Sequence, residues 1–313
     1  MDKMVEKSEV LMLTTIGAKL LRLLPDPSYN SPTIPPQPVK IKKDFLVDTS
    51  VQPTYLSFYY PLGAEPEKLP VYVNFHGGAF IMNDKELDDP YCRFLANQTG
   101  CIILNVGYAK APEYPFPKPI EQSYEILQWM KNQADQLEID PKRFMLGGQS
   151  SGANIAAALC LYLEEKQENQ PLLQVLSCPM LDFVTPHADK PEPKWFRARF
   201  PQLANFLNKC YLPDKMQAAN PLASPVCAEI GKGLASALIV IAEHDPFRPE
   251  AEIYAEKLKA AGINVHDEVF EGVFHAFTHL GPQGAAQKAW TLVAEKIKEA
   301  VALAGDQNKN ILS

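Results

Sequence analysis

Short apolar runs alternate along this chain with longer stretches of helical period. The runs are Phe45-Leu46-Val47, Tyr55 to Tyr60, Val71 to Phe75, Cys101 to Val106, Arg143 to Leu146, Leu172 to Leu176, Ala237 to Ala242 and Val265 to Phe270. Their brevity and their Val, Ile, Phe and Tyr content predict strands. The stretches Asp88 to Gln98, Ile120 to Gln136, Ser151 to Glu165, Pro249 to Ala261 and Gly284 to Ala304 predict helices. The first two runs read as an opening antiparallel pair. Strands that alternate with helices predict an α/β fold, with a mostly parallel eight-stranded sheet flanked by helices. Ligands of such sheets bind beyond the carboxyl ends of the strands. Chemistry is therefore expected just after each apolar run.

Two regions break the pattern. Residues 25–38 hold six prolines and read as a semi-rigid connector. Residues 183–230 hold seven prolines and the aromatics Trp195, Phe196, Phe200, Phe206 and Tyr211, without a clear strand. That is too long for an ordinary connection and predicts a lid over the strand ends. Val10 to Leu24 is rich in leucine, but Lys19 and Arg22 interrupt it. It is too short and too charged to span a bilayer, and no small-residue cleavage site follows. It predicts an amphipathic helix that packs beside the lid, and argues against membrane contact. The expected division is a catalytic domain over 39–182 and 231–313, with 1–38 and 183–230 as a helical cap.

Composition narrows the function. The chain has 313 residues, 46% of them hydrophobic, enough for one large core and a lid. Its net charge of −7 argues against a nucleic-acid partner, which needs clustered Lys and Arg. Six cysteines are scattered without a C-x-x-C pair, which speaks against zinc or redox motifs. Free thiols within apolar runs fit a reducing compartment, and the missing export signal places the protein in the cytoplasm.

The candidate chemistry lies after the strands. Gly148-Gln149-Ser150-Ser151-Gly152 fits G-x-S-x-G, with an apolar run before it and the helix former Ala153 to Leu159 after it. The spacing has a steric reason. Ser150 at the apex of a strand-to-helix turn brings the flanking positions against neighbouring backbone, where only glycine fits. His76-Gly77-Gly78-Ala79 follows the Val71 to Phe75 run. Consecutive glycines let backbone N–H groups turn toward a developing oxyanion, so Gly77, Gly78 and Ser151 are the expected donors. His76 is expected to brace this loop. In the order nucleophile, acid, base, Asp245 follows the Ala237 to Ala242 run and His275 follows the last strand. Glu243 and Glu250 are the alternative acids. His187, His244, His266 and His279 are less well placed than His275.

Taken together, these motifs, with Tyr108 to Pro117 and Asp245-Pro246-Phe247, resemble the hormone-sensitive-lipase-like family of α/β-hydrolases, over roughly residues 55 to 300. The resemblance implies an α/β-hydrolase fold and carboxylesterase activity on a small-molecule ester without a cofactor or metal. It also implies a two-part cap, and in many members a homodimer joined through the last strand. Three positions depart from the family pattern: Gln149 where Asp is usual, Ala79 for a third glycine, and Pro249-Glu250 for Asp-Glu. Amidase or deacetylase action is the nearer alternative. A non-catalytic receptor is the more distant one, since relatives of that kind have lost the histidine that is present here. A closed aromatic lid predicts preference for short to medium acyl chains.

Overall fold

A computed structural model describes residues 14–23, 32–63, 68–191 and 201–312, with 201 and 306–312 as backbone. Eight strands form one sheet: β1 Ile41–Val47, β2 Thr54–Tyr60, β3 Leu69–Phe75, β4 Ile102–Val106, β5 Ile139–Gln149, β6 Gln174–Ser177, β7 Ala237–His244 and β8 Val265–Phe274. Their spatial order is β1-β2-β4-β3-β5-β6-β7-β8. β2 runs antiparallel to both β1 and β4, and all the other pairs are parallel. The helices are α1 over 14–22, α2 Asp89–Thr99, α3 Lys118–Asn132, α4 Ser151–Glu165, α5 Pro201–Tyr211, α6 Arg248–Ala260, α7 Phe277–Leu280 and α8 Gln283–Leu312.

Strand side chains point alternately to the two faces, and the core divides accordingly. Val71, Val73, Ile102, Leu104, Phe144 and Leu146 face one way, where Ile126 of α3, Ile155 and Leu159 of α4, and Tyr254 and Leu258 of α6 cover them. Tyr72, Ile103, Met145, Val175 and Val240 face the other way, toward Phe94 and Leu95 of α2 and Trp290, Val293 and Ile297 of α8. Central strands buried on both faces read as continuous apolar runs, which is why the sequence marked them so plainly.

Differences from expectation are at element ends. β5 begins at Ile139, before the expected Arg143, where Leu69 pairs with Ile139 ahead of a register shift. β8 continues past Phe270 to Phe274, and a second shift between Ala242 and His244 keeps it paired with β7. α8 runs beyond Ala304 to Leu312. Among the described residues of 183–230 there is no strand. Among the described residues, no helix is long and apolar enough to cross a membrane. Leu11, Leu24, Trp195, Phe196 and Phe200 lie outside the described residues.

Candidate active site

The site is built where β3, β5, β7 and β8 end at one edge of the sheet. β5 gives way to α4 in a single residue. Ser150 has φ 54° and ψ −114°, a backbone conformation rarely taken by a residue with a Cβ. A Cβ on Gly148 would lie 2.3 Å from the Phe75 carbonyl oxygen, and one on Gly152 would lie 1.9 Å from the same atom. Both contacts are with backbone that has no room to retreat. The two glycines therefore let α4 and β3 close on the turn, as the spacing predicts. Asn154 holds the turn from behind, where its Nδ2 donates to the carbonyls of Met180 and Ala223, each at 2.8 Å.

Ser150, His275 and Asp245 come together from three separate elements. His275 Nε2 is 3.0 Å from Ser150 Oγ, and its Nδ1 is 2.8 Å from Asp245 Oδ2. Asp245 Oδ1 accepts from the Phe247 N–H at 2.9 Å. A carboxylate only accepts, so the imidazole proton belongs on Nδ1 and the Nε2 lone pair faces the serine. The Phe247 ring meets the His275 ring edge-on, with centroids 5.0 Å apart. The aspartate is buried, whereas the histidine side chain is 28% exposed, which leaves it within reach of an entering substrate.

The other candidates fall elsewhere. Glu243 Oε2 accepts from the Gly272 N–H. Glu250 pairs with Lys190, Oε2 to Nζ 3.1 Å, both side chains being almost fully buried. His187 lies against Phe247, His244 against Phe274, and His266 beside Glu268. His279 is buried on α7 near Asp88.

The His76 to Ala79 loop lies over the nucleophile turn. A Cβ on Gly77 would come within 3.7 Å of the Ser150 Cβ. Gly78 has φ 123°, and a Cβ there would strike the Met82 carbonyl oxygen at 2.3 Å. Ala79 and Phe80 continue the loop with φ 53° and 64°. Ser151 opens α4, where the first N–H groups have no helical partner and favour negative charge. His76 braces the loop. Its Nδ1 donates to the Gly77 carbonyl at 2.6 Å, and its ring stacks on Tyr108 at 4.4 Å. Burial, aided by Lys110, lowers its pKa to about 4, so it stays neutral at working pH.

Among the described residues, Cys178, Asp245 and His275 offer sulfur, oxygen and nitrogen atoms within 4.8 Å of one another. The aspartate oxygen and histidine nitrogen there are already hydrogen-bonded to each other. No sequence motif points to Cys178, whose sulfur lies beside Asp245. Phe247 stood inside a recognised motif with no role attached to it.

The chain is similar to several known proteins. The family described as the alpha/beta hydrolase fold matches residues 72–279. An arylesterase of Saccharolobus solfataricus is 28% identical over 270 residues, spanning 85% of this chain and 86% of that enzyme. A carboxylic ester hydrolase of Mycobacterium tuberculosis is 31% identical over 239 residues, spanning 71% of this chain and 61% of its own length. Among solved structures, a thermophilic carboxylesterase cloned from a metagenomic library is similar with a TM-score of 0.79 and 28% identity, over 94% of this chain and 97% of that one.

Proposed function

Because this chain belongs to the hormone-sensitive-lipase-like family of α/β-hydrolases and is a carboxylesterase, we propose that Ser150, His275 and Asp245 carry the hydrolysis. One observation carries this reading: the unbroken line Ser150 Oγ, His275 Nε2, His275 Nδ1, Asp245 Oδ2, with steps of 3.0 Å and 2.8 Å. His275 takes the Ser150 proton as the oxygen attacks the ester carbonyl. Asp245 keeps the imidazole tautomer and stabilises the imidazolium without taking its proton. Backbone N–H groups of Gly77, Gly78 and Ser151 receive the oxyanion. His275 then protonates the departing alcohol, and an acyl group remains on Ser150. A water deprotonated by His275 attacks that acyl group, the bond to Ser150 Oγ breaks, and His275 returns the proton to Ser150 as the acid is released.

The cap belongs to the same reading. The described parts of 1–38 and 183–230 form a cap over a catalytic domain made of 39–182 and 231–313. Close packing of Phe80 on Tyr211, with rings 3.6 Å apart and 5° from parallel, supports a shallow acyl pocket suited to short and medium chains. A cytoplasmic location is supported by six free cysteines, five of them buried. A homodimer along β8 is supported by the exposed residues of that edge strand.

Two measurements test the assignment. A phosphonate inhibitor is expected to label Ser150, and S150A to lower turnover of nitrophenyl esters by ~10⁴-fold or more. S151A keeps most activity because its N–H survives. Labelling at Ser151 would refute the register. Nitroanilides tested beside the esters are expected to be poor substrates, and equal turnover of both would favour the amidase reading.

A further inference from the structure

Behind the nucleophile turn runs a buried polar chain that the proposed reaction leaves unused. Gln149, next to Ser150, is 4% exposed, and its Nε2 donates to Thr278 Oγ1 at 2.9 Å. Thr278 Oγ1 is 2.9 Å from Nδ1 of the neighbouring His279. His279 Nε2 stands 3.2 Å from Asp88 Oδ1, a close polar contact off the line of a straight hydrogen bond. Asp88 Oδ2 accepts from Asn74 Nδ2 at 2.7 Å. All five residues are buried, and the cavity they share with Trp290 is about 10 Å³, room for one water at most.

The chain has a direction. An amide nitrogen only donates, so the Thr278 oxygen accepts from Gln149. A carboxylate only accepts, so the His279 ring hydrogen sits on Nε2, facing Asp88, and Nδ1 is left to accept from the Thr278 hydroxyl. Burial pushes the Asp88 carboxyl up, but His279 and Asn74 outweigh it and hold the group below the usual carboxylate range. A buried polar group left without its partner is costly, so each member constrains the next.

Its position is informative. Gln149 Oε1 lies where a Cβ on Gly77 would come within 3.5 Å of it. Thr278 and His279 belong to the turn that carries His275, whose next residue, Ala276, has φ 63°. Thr33 Oγ1 also holds that turn, donating to the His279 carbonyl at 2.6 Å. One residue, Gln149, thus belongs to the nucleophile turn, lies beside Gly77 of the glycine loop and bonds Thr278 of the His275 turn.

We propose that Gln149 and Thr278 are positioning residues that hold the His275 turn in register with Ser150, and that His279 and Asp88 fix the direction of the Thr278 hydroxyl. This rests on the assignment of Ser150 and His275 above. It also gives the amide at position 149 a reason, since a carboxylate there has no hydrogen to donate to Thr278.

The test uses the full chain. T278V keeps the shape and removes the hydroxyl, and it is expected to lower kcat by ~30-fold with KM within about twofold, because small misplacements of reacting groups cost rate rather than binding. Phosphonate labelling of Ser150 slows by a similar factor. T278S restores most of both. Q149E, which keeps size but not the donor, repeats the loss and serves if T278V does not fold. Wild-type kcat and labelling rates in T278V, or an equal loss in T278V and T278S that follows their melting temperatures, would overturn the inference. Wild-type labelling at a residue other than Ser150 would instead remove the reading beneath it.

Discussion

Ser150 holds a strained backbone because its neighbours leave no alternative. A residue in such a conformation costs of order 1–3 kcal/mol, and the packing of α4 against β3 offsets it. His275 and Asp245 show the same economy, with each polar atom directed to one partner. D245N is therefore expected to lower kcat by ~10³-fold or more through loss of the tautomer control, whereas E243Q and E250Q stay within about tenfold of wild type. Steady-state kinetics on one nitrophenyl ester decide it, and the choice of acid fails if E250Q is the most damaging of the three. His76 offers a pH-dependent readout. Burial lowers its pKa from 6.5 to about 4, so between those values the unfolded chain binds a proton that the folded chain does not. Stability gained above pH 6.5 is lost as pH falls through that window, by about 3 kcal/mol from this group. H76N, which keeps a donor for the Gly77 carbonyl, is expected to flatten the fall in urea stability between pH 6.5 and 4. Parallel curves for the two proteins would disprove it.

At the scale of elements, Arg22 ties α1 to the catalytic domain. Arg22 gives Nη1 and Nη2 to the two oxygens of Glu113 at 2.9 Å and 2.8 Å. It also donates Nε to the Ile81 carbonyl at 2.9 Å and Nη2 to the Ala111 carbonyl at 2.6 Å. On the same helix Gly17 faces the Phe206 ring, so closely that a Cβ would stand 2.8 Å from it. The N-terminal helix thus rests both on α5, from the lid segment, and on the chain that continues the His76 to Ala79 loop. R22A is expected to lower stability by about 2 kcal/mol, and R22K to recover little of it, because an ammonium does not reproduce the planar fork. Chemical denaturation of the three proteins measures this, and full recovery by R22K would show that charge alone matters.

For the whole molecule, the question is how much room remains above Ser150. Phe80 stacks on Tyr211, Phe183 lies 5.3 Å from Tyr211, and Phe116 meets the same ring edge-on at 6.0 Å. Phe183 and Tyr211 come from the proline-rich segment and Phe80 from the end of the glycine loop. These rings are buried, and on the proposed reading they limit the room for an acyl chain. Each buried methylene of substrate is favourable by about 0.8 kcal/mol until the pocket is full, and then the sign reverses. Activity across nitrophenyl esters is expected to peak at short to medium acyl length. Removal of residues 1–24, which takes away α1, is expected to lower stability and flatten the profile. Turnover of long-chain triglyceride emulsions equal to that of short esters would contradict the closed roof.

The sequence alone determined what depends on near neighbours. Apolar runs with turn residues between them specified eight strands and their helices, and the spacing of Gly148, Ser150 and Gly152 specified a sharp turn. Both follow from local backbone geometry. Element ends were less legible, because the extension of β8 to Phe274 depends on a register shift against β7 rather than on its own residues. The order of motifs along the chain singles out Asp245 and His275, among several acids and histidines, as the proposed partners of Ser150. Only the tertiary structure decided which distant side chains meet. Gln149 and Thr278 are 129 positions apart, and Arg22 and Glu113 are 91 apart. In the sequence, Gln149 was a departure from a pattern and His279 was one histidine among six. Their partnership arises because β5 and β8, with two strands between them, end at the same edge of one sheet. Hydrophobic burial fixes that arrangement without regard to polar groups, and the polar groups it brings together then acquire a geometry that no local pattern encodes.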